Sequence, residues 1–183
     1  MTNQRHISLL EEIKKSGGDL DMGKPNDSVL LIDGMNTFIR VFSAIPTTND
    51  DGIHVGGIVG FLRSIAYVVN MVRPTRVIIA FDGKGGSSRR RKIYPEYKQN
   101  RKTKYRVNRS NSFASQDDER MNMIMQIQRV VEYLETLPLT VLSYDNIEAD
   151  DTIGYICRQV LTDSQITIMS TVYDFLELAY GRI

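Results

Sequence analysis

Two short apolar runs in this chain end in the same pair of residues. Val29-Leu30-Leu31-Ile32 leads directly into Asp33-Gly34, and Val77-Ile78-Ile79-Ala80-Phe81 into Asp82-Gly83. A run that is apolar throughout, instead of alternating, marks a strand buried on both faces. Such strands belong to parallel sheets covered by helices. Between the runs, Ile58, Phe61, Leu62, Ile65, Ala66 and Val69 trace one face of a helix, and Pro74 closes it. Strand, helix and strand in that order make a βαβ unit with an expected right-handed crossover.

The rest of the chain continues the alternation. Ile124, Ile127, Val130, Val131 and Leu134 predict a helix, Leu139-Thr140-Val141-Leu142 a third strand, and Ile166-Thr167-Ile168-Met169 a fourth. Between those strands, Ile153, Ile156, Cys157, Val160 and Leu161 recur at helical spacing behind Glu148-Ala149-Asp150-Asp151. Ser170-Thr171-Val172-Tyr173-Asp174 follows the fourth strand and leads to a last short helix. The expected fold is α/β, with a mostly parallel central sheet flanked by helices. Residues 1–27 read as an N-terminal extension, since Ser16-Gly17-Gly18 ends any helix begun by Ile7, Leu9, Leu10 and Ile13.

The strand ends carry the chemistry. In open parallel sheets, ligands bind beyond the carboxyl ends of the strands. Asp33, Asp82, the Glu148 group and Asp174 each come just after a predicted strand. Taken singly, a strand-end Asp serves as a turn or cap residue, and an acidic first turn complements a helix dipole. Four chain segments delivering carboxylates to one sheet edge point instead to a shared site. Such a cluster repels itself unless cations neutralise it. Oxygen donors without His or Cys favour Mg²⁺ or Mn²⁺ over Zn²⁺. His6 and His54 lie away from these strand ends and are expected to be incidental.

The formal net charge of +1 conceals an asymmetry. From Lys84 to Arg109 the chain holds eleven Lys or Arg against one acid, Glu96, so the remainder is acidic. Tyr94, Tyr97 and Tyr105 are interleaved with these cations, a pattern that offers bases a stacking surface beside phosphate-binding charges. An acidic metal site next to such a segment is the arrangement that cuts a phosphodiester. With 183 residues, 42 % hydrophobic and 25 % charged, one globular domain is expected. No apolar run reaches bilayer length and the N-terminus lacks a secretory layout, so the expectation is a soluble cytoplasmic protein. Cys157, the only cysteine, is expected to be a buried small hydrophobe.

These motifs, in this order, resemble the catalytic domain of the phage and bacterial 5′ nucleases, the flap endonuclease and 5′–3′ exonuclease family with its PIN-like fold. The matching pieces are Leu31-Ile32-Asp33-Gly34, Phe81-Asp82-Gly83-Lys84, Arg90, Tyr94-Pro95-Glu96-Tyr97-Lys98-Gln99-Asn100-Arg101, Glu148-Ala149-Asp150-Asp151, and Ser170 to Leu176. The resemblance covers residues 28–183 and implies a basic helical arch over about 84–116. It implies that Asp33, Asp82, Glu148, Asp150 and Asp151 hold two catalytic Mg²⁺ or Mn²⁺ ions, with Asp174 matching a further ligand. It places Lys84 and Arg90 near the scissile phosphate. It implies that Arg89, Arg91, Lys92, Tyr94, Tyr97, Lys98, Arg101, Lys102 and Lys104 contact nucleic acid. The expected partner is DNA with 5′ ends, flaps or nicks, with RNA–DNA hybrids as a further substrate, in a bacterial or phage-infected cell.

Two departures stand out. The family's D-x-D motif has Val172 at its first position here. The family's helix–turn–helix region after the catalytic domain has no counterpart in the 183 residues, so a second chain supplying it is one expectation. The alternative reading is therefore a catalytically impaired DNA-binding remnant or one half of a split nuclease. A phosphatase or nucleotide-binding reading fits poorly. Asp33-Gly34-Met35 lacks the second Asp of aspartyl-phosphate phosphatases, and Lys84-Gly85-Gly86-Ser87 lacks P-loop spacing.

Overall fold

The structure, a computed structural model, describes residues 24–98, 107–109, 113–170 and 175. Four strands form one parallel sheet in the order β3-β2-β1-β4: β1 (Ser28–Asp33), β2 (Arg76–Asp82), β3 (Thr140–Tyr144) and β4 (Gln165–Met169). Helices α1 (Gly34–Ala44) and α2 (Gly56–Val72) join β1 to β2. Helices α3 (Ser88–Ile93) and α4 (Gln116–Glu135) lie between β2 and β3. Helix α5 (Ala149–Tyr155) runs on into a π-helical turn (Ile156–Val160) before β4. No helix among the described residues is long and apolar enough to cross a membrane.

The apolar run of β1 is buried from both sides, as its composition requires. Val29 and Leu31 pack with Ile78, Ala80, Ile153, Ile156 and Cys157 on one face. Leu30 and Ile32 pack on the other with Phe38, Phe42, Phe61, Ile79, Val130 and Leu134. Each such side chain contributes roughly 1.5–3 kcal/mol by leaving water, which makes β1 the spine of the fold. Cys157 is fully buried in the first cluster, as expected.

Three features depart from the sequence reading. Helix α1 was not anticipated, although Phe38, Val41 and Phe42 recur at helical spacing and are buried. Helix α4 starts well before its apolar residues, because Ser115 accepts the Asp118 N–H at 3.1 Å and acids fill its first turn. The helical face expected from Ile153 to Leu161 loses its phase after Cys157. There the Leu161 N–H bonds to the Ile156 carbonyl at 2.9 Å, a π spacing, and Val160 turns outward to 55 % exposure. The expected last short helix, with Asp174, lies outside the described residues apart from buried Phe175.

Candidate metal centre and basic segment

Both Asp-Gly pairs are explained by close packing at the strand ends. Asp33 closes β1 and caps α1, its Oδ1 accepting the Asn36 N–H at 3.0 Å. A Cβ on Gly34 would lie 2.7 Å from the Phe81 ring. Asp82 closes β2, and its Oδ1 accepts the Ala149 N–H at 2.8 Å, which ties the end of β2 to the start of α5. A Cβ on Gly83 would fall 1.7 Å from the Tyr144 carbonyl oxygen, so only glycine lets β2 and the end of β3 approach this closely. The Gly83 N–H then donates to the Ile147 carbonyl at 3.1 Å, just ahead of Glu148.

Glu148, Asp150 and Asp151 converge at the opening of α5, each offering a carboxylate oxygen within 4.8 Å of the others. Glu148 is buried, while Asp151 is half exposed. Arg90 of α3 enters this group. Its Nη1 pairs with Glu148 Oε2 and donates to Asp150 Oδ2 at 3.0 Å, and its Nη2 reaches Asp151 Oδ1 at 2.8 Å. Lys98 Nζ meets the other Glu148 oxygen at 2.5 Å. The Tyr97 hydroxyl donates to Glu148 Oε2 at 3.0 Å, and its ring lies beneath both cations. Two cationic side chains thus answer three carboxylates.

The electrostatics follow from this crowding. Burial is the main reason the Asp33 carboxyl is pushed up to about 6, helped by the charges of Asp82 and Asp150. The Asn36 N–H and Lys98 oppose the shift. Asp33 therefore lies within reach of the charges on both Asp82 and Asp150. Burial works to lower the Arg90 value, but its hydrogen bond to Asp150 and the charges of Asp150 and Asp151 outweigh it and raise it. An all-oxygen donor set that already concentrates positive charge suits a hard divalent cation.

The other expected residues are placed less centrally. Lys84 is exposed in the turn after β2, where its carbonyl accepts the Asn146 N–H at 2.9 Å. Arg89 borders a groove of about 630 Å³ with Tyr144, Tyr155 and Asp151. Arg91, Lys92 and Tyr94 are exposed on and after α3, with the Tyr94 hydroxyl on Glu96 at 3.0 Å. Arg101, Lys102, Lys104, Val172 and Asp174 lie outside the described residues. The structure brings Tyr97 and Lys98 onto Glu148, a role that sequence reasoning missed. The helix that carries Arg90 ends at Ile93, so no helical spacing in the sequence announced that role.

Comparison with known proteins bears on the family and the fold. The family model described as "5′-3′ exonuclease, N-terminal resolvase-like domain" matches residues 28–183. A 5′-3′ exonuclease of Bacillus subtilis (strain 168) is 26% identical over 163 residues, covering 86% of this chain and 50% of the relative. The DNA polymerase I of Caldicellulosiruptor bescii is 30% identical over 152 residues, covering 82% of this chain and 16% of that protein. Among solved structures, a phage T5 5′-exonuclease with bound zinc ions superposes with a TM-score of 0.65 at 21% identity, over 85% of this chain and 53% of that one. A bacteriophage T5 flap endonuclease in complex with DNA and metal ions gives 0.60 at 20% identity, over 80% and 49%. At that identity the likeness shows the fold. The chain spans about half the length of the Bacillus relative and of the phage structures.

Proposed function

The chain belongs to the 5′-3′ exonuclease family, matching its N-terminal resolvase-like domain, and we propose that it is the metal-dependent, phosphodiester-hydrolysing part of a 5′ nuclease. Its substrate in this reading is DNA with 5′ ends, flaps or nicks. The observation that carries the proposal is the convergence of Glu148, Asp150 and Asp151 with Arg90 and Lys98 beside Asp33 and Asp82.

Asp33, Asp82, Glu148, Asp150 and Asp151, with Asp174, would hold two divalent ions, Mg²⁺ or Mn²⁺. When bound, such ions lower the pKa of an attacking water and stabilise the leaving oxygen. The remaining tasks belong to the chain's own side chains. Buried Glu148 keeps Arg90 and Lys98 at the carboxylates, where a polyanionic strand meets cations at the reacting end. Tyr97 holds both cations against Glu148. Lys84 is a further contact for phosphate on the same strand end. Exposed Arg89, Arg91, Lys92 and Tyr94, with Arg101, Lys102 and Lys104, supply backbone contacts and a stacking surface along the arch of about residues 84–116.

Cleavage of a 5′-labelled flap DNA by the purified chain tests the proposal, with Mg²⁺, Mn²⁺ or EDTA and an Asp150→Ala control. Cutting that needs the metal and disappears in the control is the expected result. Salt-sensitive binding with no cutting in either metal would sink it in favour of an impaired DNA-binding remnant. In that case Val172→Asp, and mixing with a chain that carries the rest of the relatives' length, would identify what is lacking.

A further inference from the structure

A second buried polar group sits among α1, α2 and α4. His54, Asn108, Glu119, Asn122 and Gln126 are each at most 7% exposed. Glu119, in the first turn of α4, accepts two consecutive backbone N–H groups through one oxygen, that of Val107 at 2.9 Å and that of Asn108. The Asn108 side-chain amide donates to the Phe42 carbonyl and lies 3.1 Å from His54 Nε2, while the Arg109 N–H donates to the Ser43 carbonyl at 3.0 Å. His54 is held in turn. Its Nε2 is 2.8 Å from the Ile45 carbonyl, its Nδ1 is 3.0 Å from the Gln126 amide, and its own carbonyl accepts from Gln126 and Asn122. Gln126 Oε1 accepts the Ile58 N–H at 3.0 Å, which fixes the amide's orientation. A loop histidine, a helix carboxylate and the return of the basic segment are thereby locked together.

The position of this lock is informative. Val107 and Asn108 are where the basic segment rejoins the core, and earlier in the segment Tyr97 and Lys98 are bound to Glu148. Two points of the segment, one within it and one at its return, are therefore fastened to buried glutamates, one at the candidate metal centre and one at the start of α4. Burying a carboxylate to receive two loop N–H groups is a costly way to shape a turn. It becomes intelligible if the location of the loop itself matters. We propose that Glu119 is a positioning residue that fixes the return of the basic segment to the core at Val107 and Asn108. This rests on reading that segment as a nucleic-acid contact. A fixed return lowers the conformational entropy that DNA binding would otherwise remove.

The test compares Glu119→Ala and Glu119→Gln in the full chain. Releasing the tether is expected to raise KM for flap DNA, and Kd for the same DNA in EDTA, by about tenfold, while kcat changes less than about twofold. The Gln variant, whose amide oxygen accepts the same two N–H groups, is expected to restore KM. Tryptic cleavage of the native protein at Arg109 should quicken in the Ala variant and not in the Gln variant. A folded Ala variant with unchanged KM, Kd and tryptic rate overturns the proposal, and so does a Gln variant as impaired as Ala. If Glu119→Ala does not fold, Glu119→Asp, whose carboxylate is drawn back by one methylene from the two N–H groups, takes its place with the same expected outcomes. If the wild-type chain neither cuts nor binds DNA, the nuclease reading fails, and the tryptic comparison alone still decides whether Glu119 fastens the segment.

Discussion

Arg90 and Glu148, 58 residues apart in sequence, form an ion pair in which the carboxylate is buried and the guanidinium also reaches Asp150 and Asp151. One side chain therefore contacts each of the α5 acids that would bind a metal. The two cations compete for the same oxygens. Arg90→Ala is expected to cost about 2 kcal/mol in EDTA, less than a fully buried pair, because the guanidinium keeps part of its surface in water. Saturating Mn²⁺ should recover most of that loss, and the variant should bind Mn²⁺ more tightly than the wild type. Urea unfolding with and without the metal measures both, and an equal loss in the two conditions would show that no competition exists.

Asp33 makes stability depend on pH in the absence of metal. Its folded value of about 6 lies above the ordinary 3.8, so the folded chain binds this proton more tightly than the unfolded chain. Stability from this group is complete below the unfolded value and declines as pH rises through about 6. Asp33→Asn keeps a side-chain oxygen for capping α1 and removes the titration. Relative to wild type in EDTA, the variant should gain on the order of 2 kcal/mol between pH about 4 and pH about 7. A stability difference that stays flat across that range would rule out the burial of an ionised carboxyl here.

Gly83 tests how tightly the strand ends must close. A methyl group there would collide with the Tyr144 backbone, which has no flexible end to move aside. Gly83→Ala is expected to cost more than about 2 kcal/mol and to separate Asp82 from the Ala149 N–H. Gly52→Ala is a useful comparison, because its Cβ would meet open space even though its backbone has φ +76°. A melting temperature for Gly83→Ala at or above that of Gly52→Ala would show that the β2 and β3 ends are not packed as described.

Much of this architecture was legible because a strand buried on both faces has to be written in continuous apolar letters. Strands β1, β2 and β4 fall within a residue or so of their apolar runs for that reason. The strand-end acids were legible for a related one, since parallel strands deliver their ends to a single edge. Helix α1 was hidden because Asp33-Gly34 reads as turn punctuation, when the Asp is in fact its cap. Helix α3 carries no buried residue and hence no apolar stripe to detect. Val160 was misplaced because a 3.6-residue period cannot register a π turn. Apart from the Ile45 carbonyl, the lock around His54 depends on partners more than fifty residues away, and nothing adjacent to that histidine announces it.

The strand order also sets a timetable. β1 is synthesised first among the strands, yet it pairs with β2 on one side and with β4, the last of the four, on the other. Until Gln165–Met169 leaves the ribosome, the most apolar strand of the protein exposes an open row of backbone donors and acceptors to any neighbouring chain. Among the described residues the carboxylates come from β1, β2 and the start of α5, so this part of the site can assemble before that row is sealed, while Asp174 follows β4. A nascent chain can thus carry its acidic site while it is still most prone to aggregate, and its yield depends on how promptly the final strand arrives.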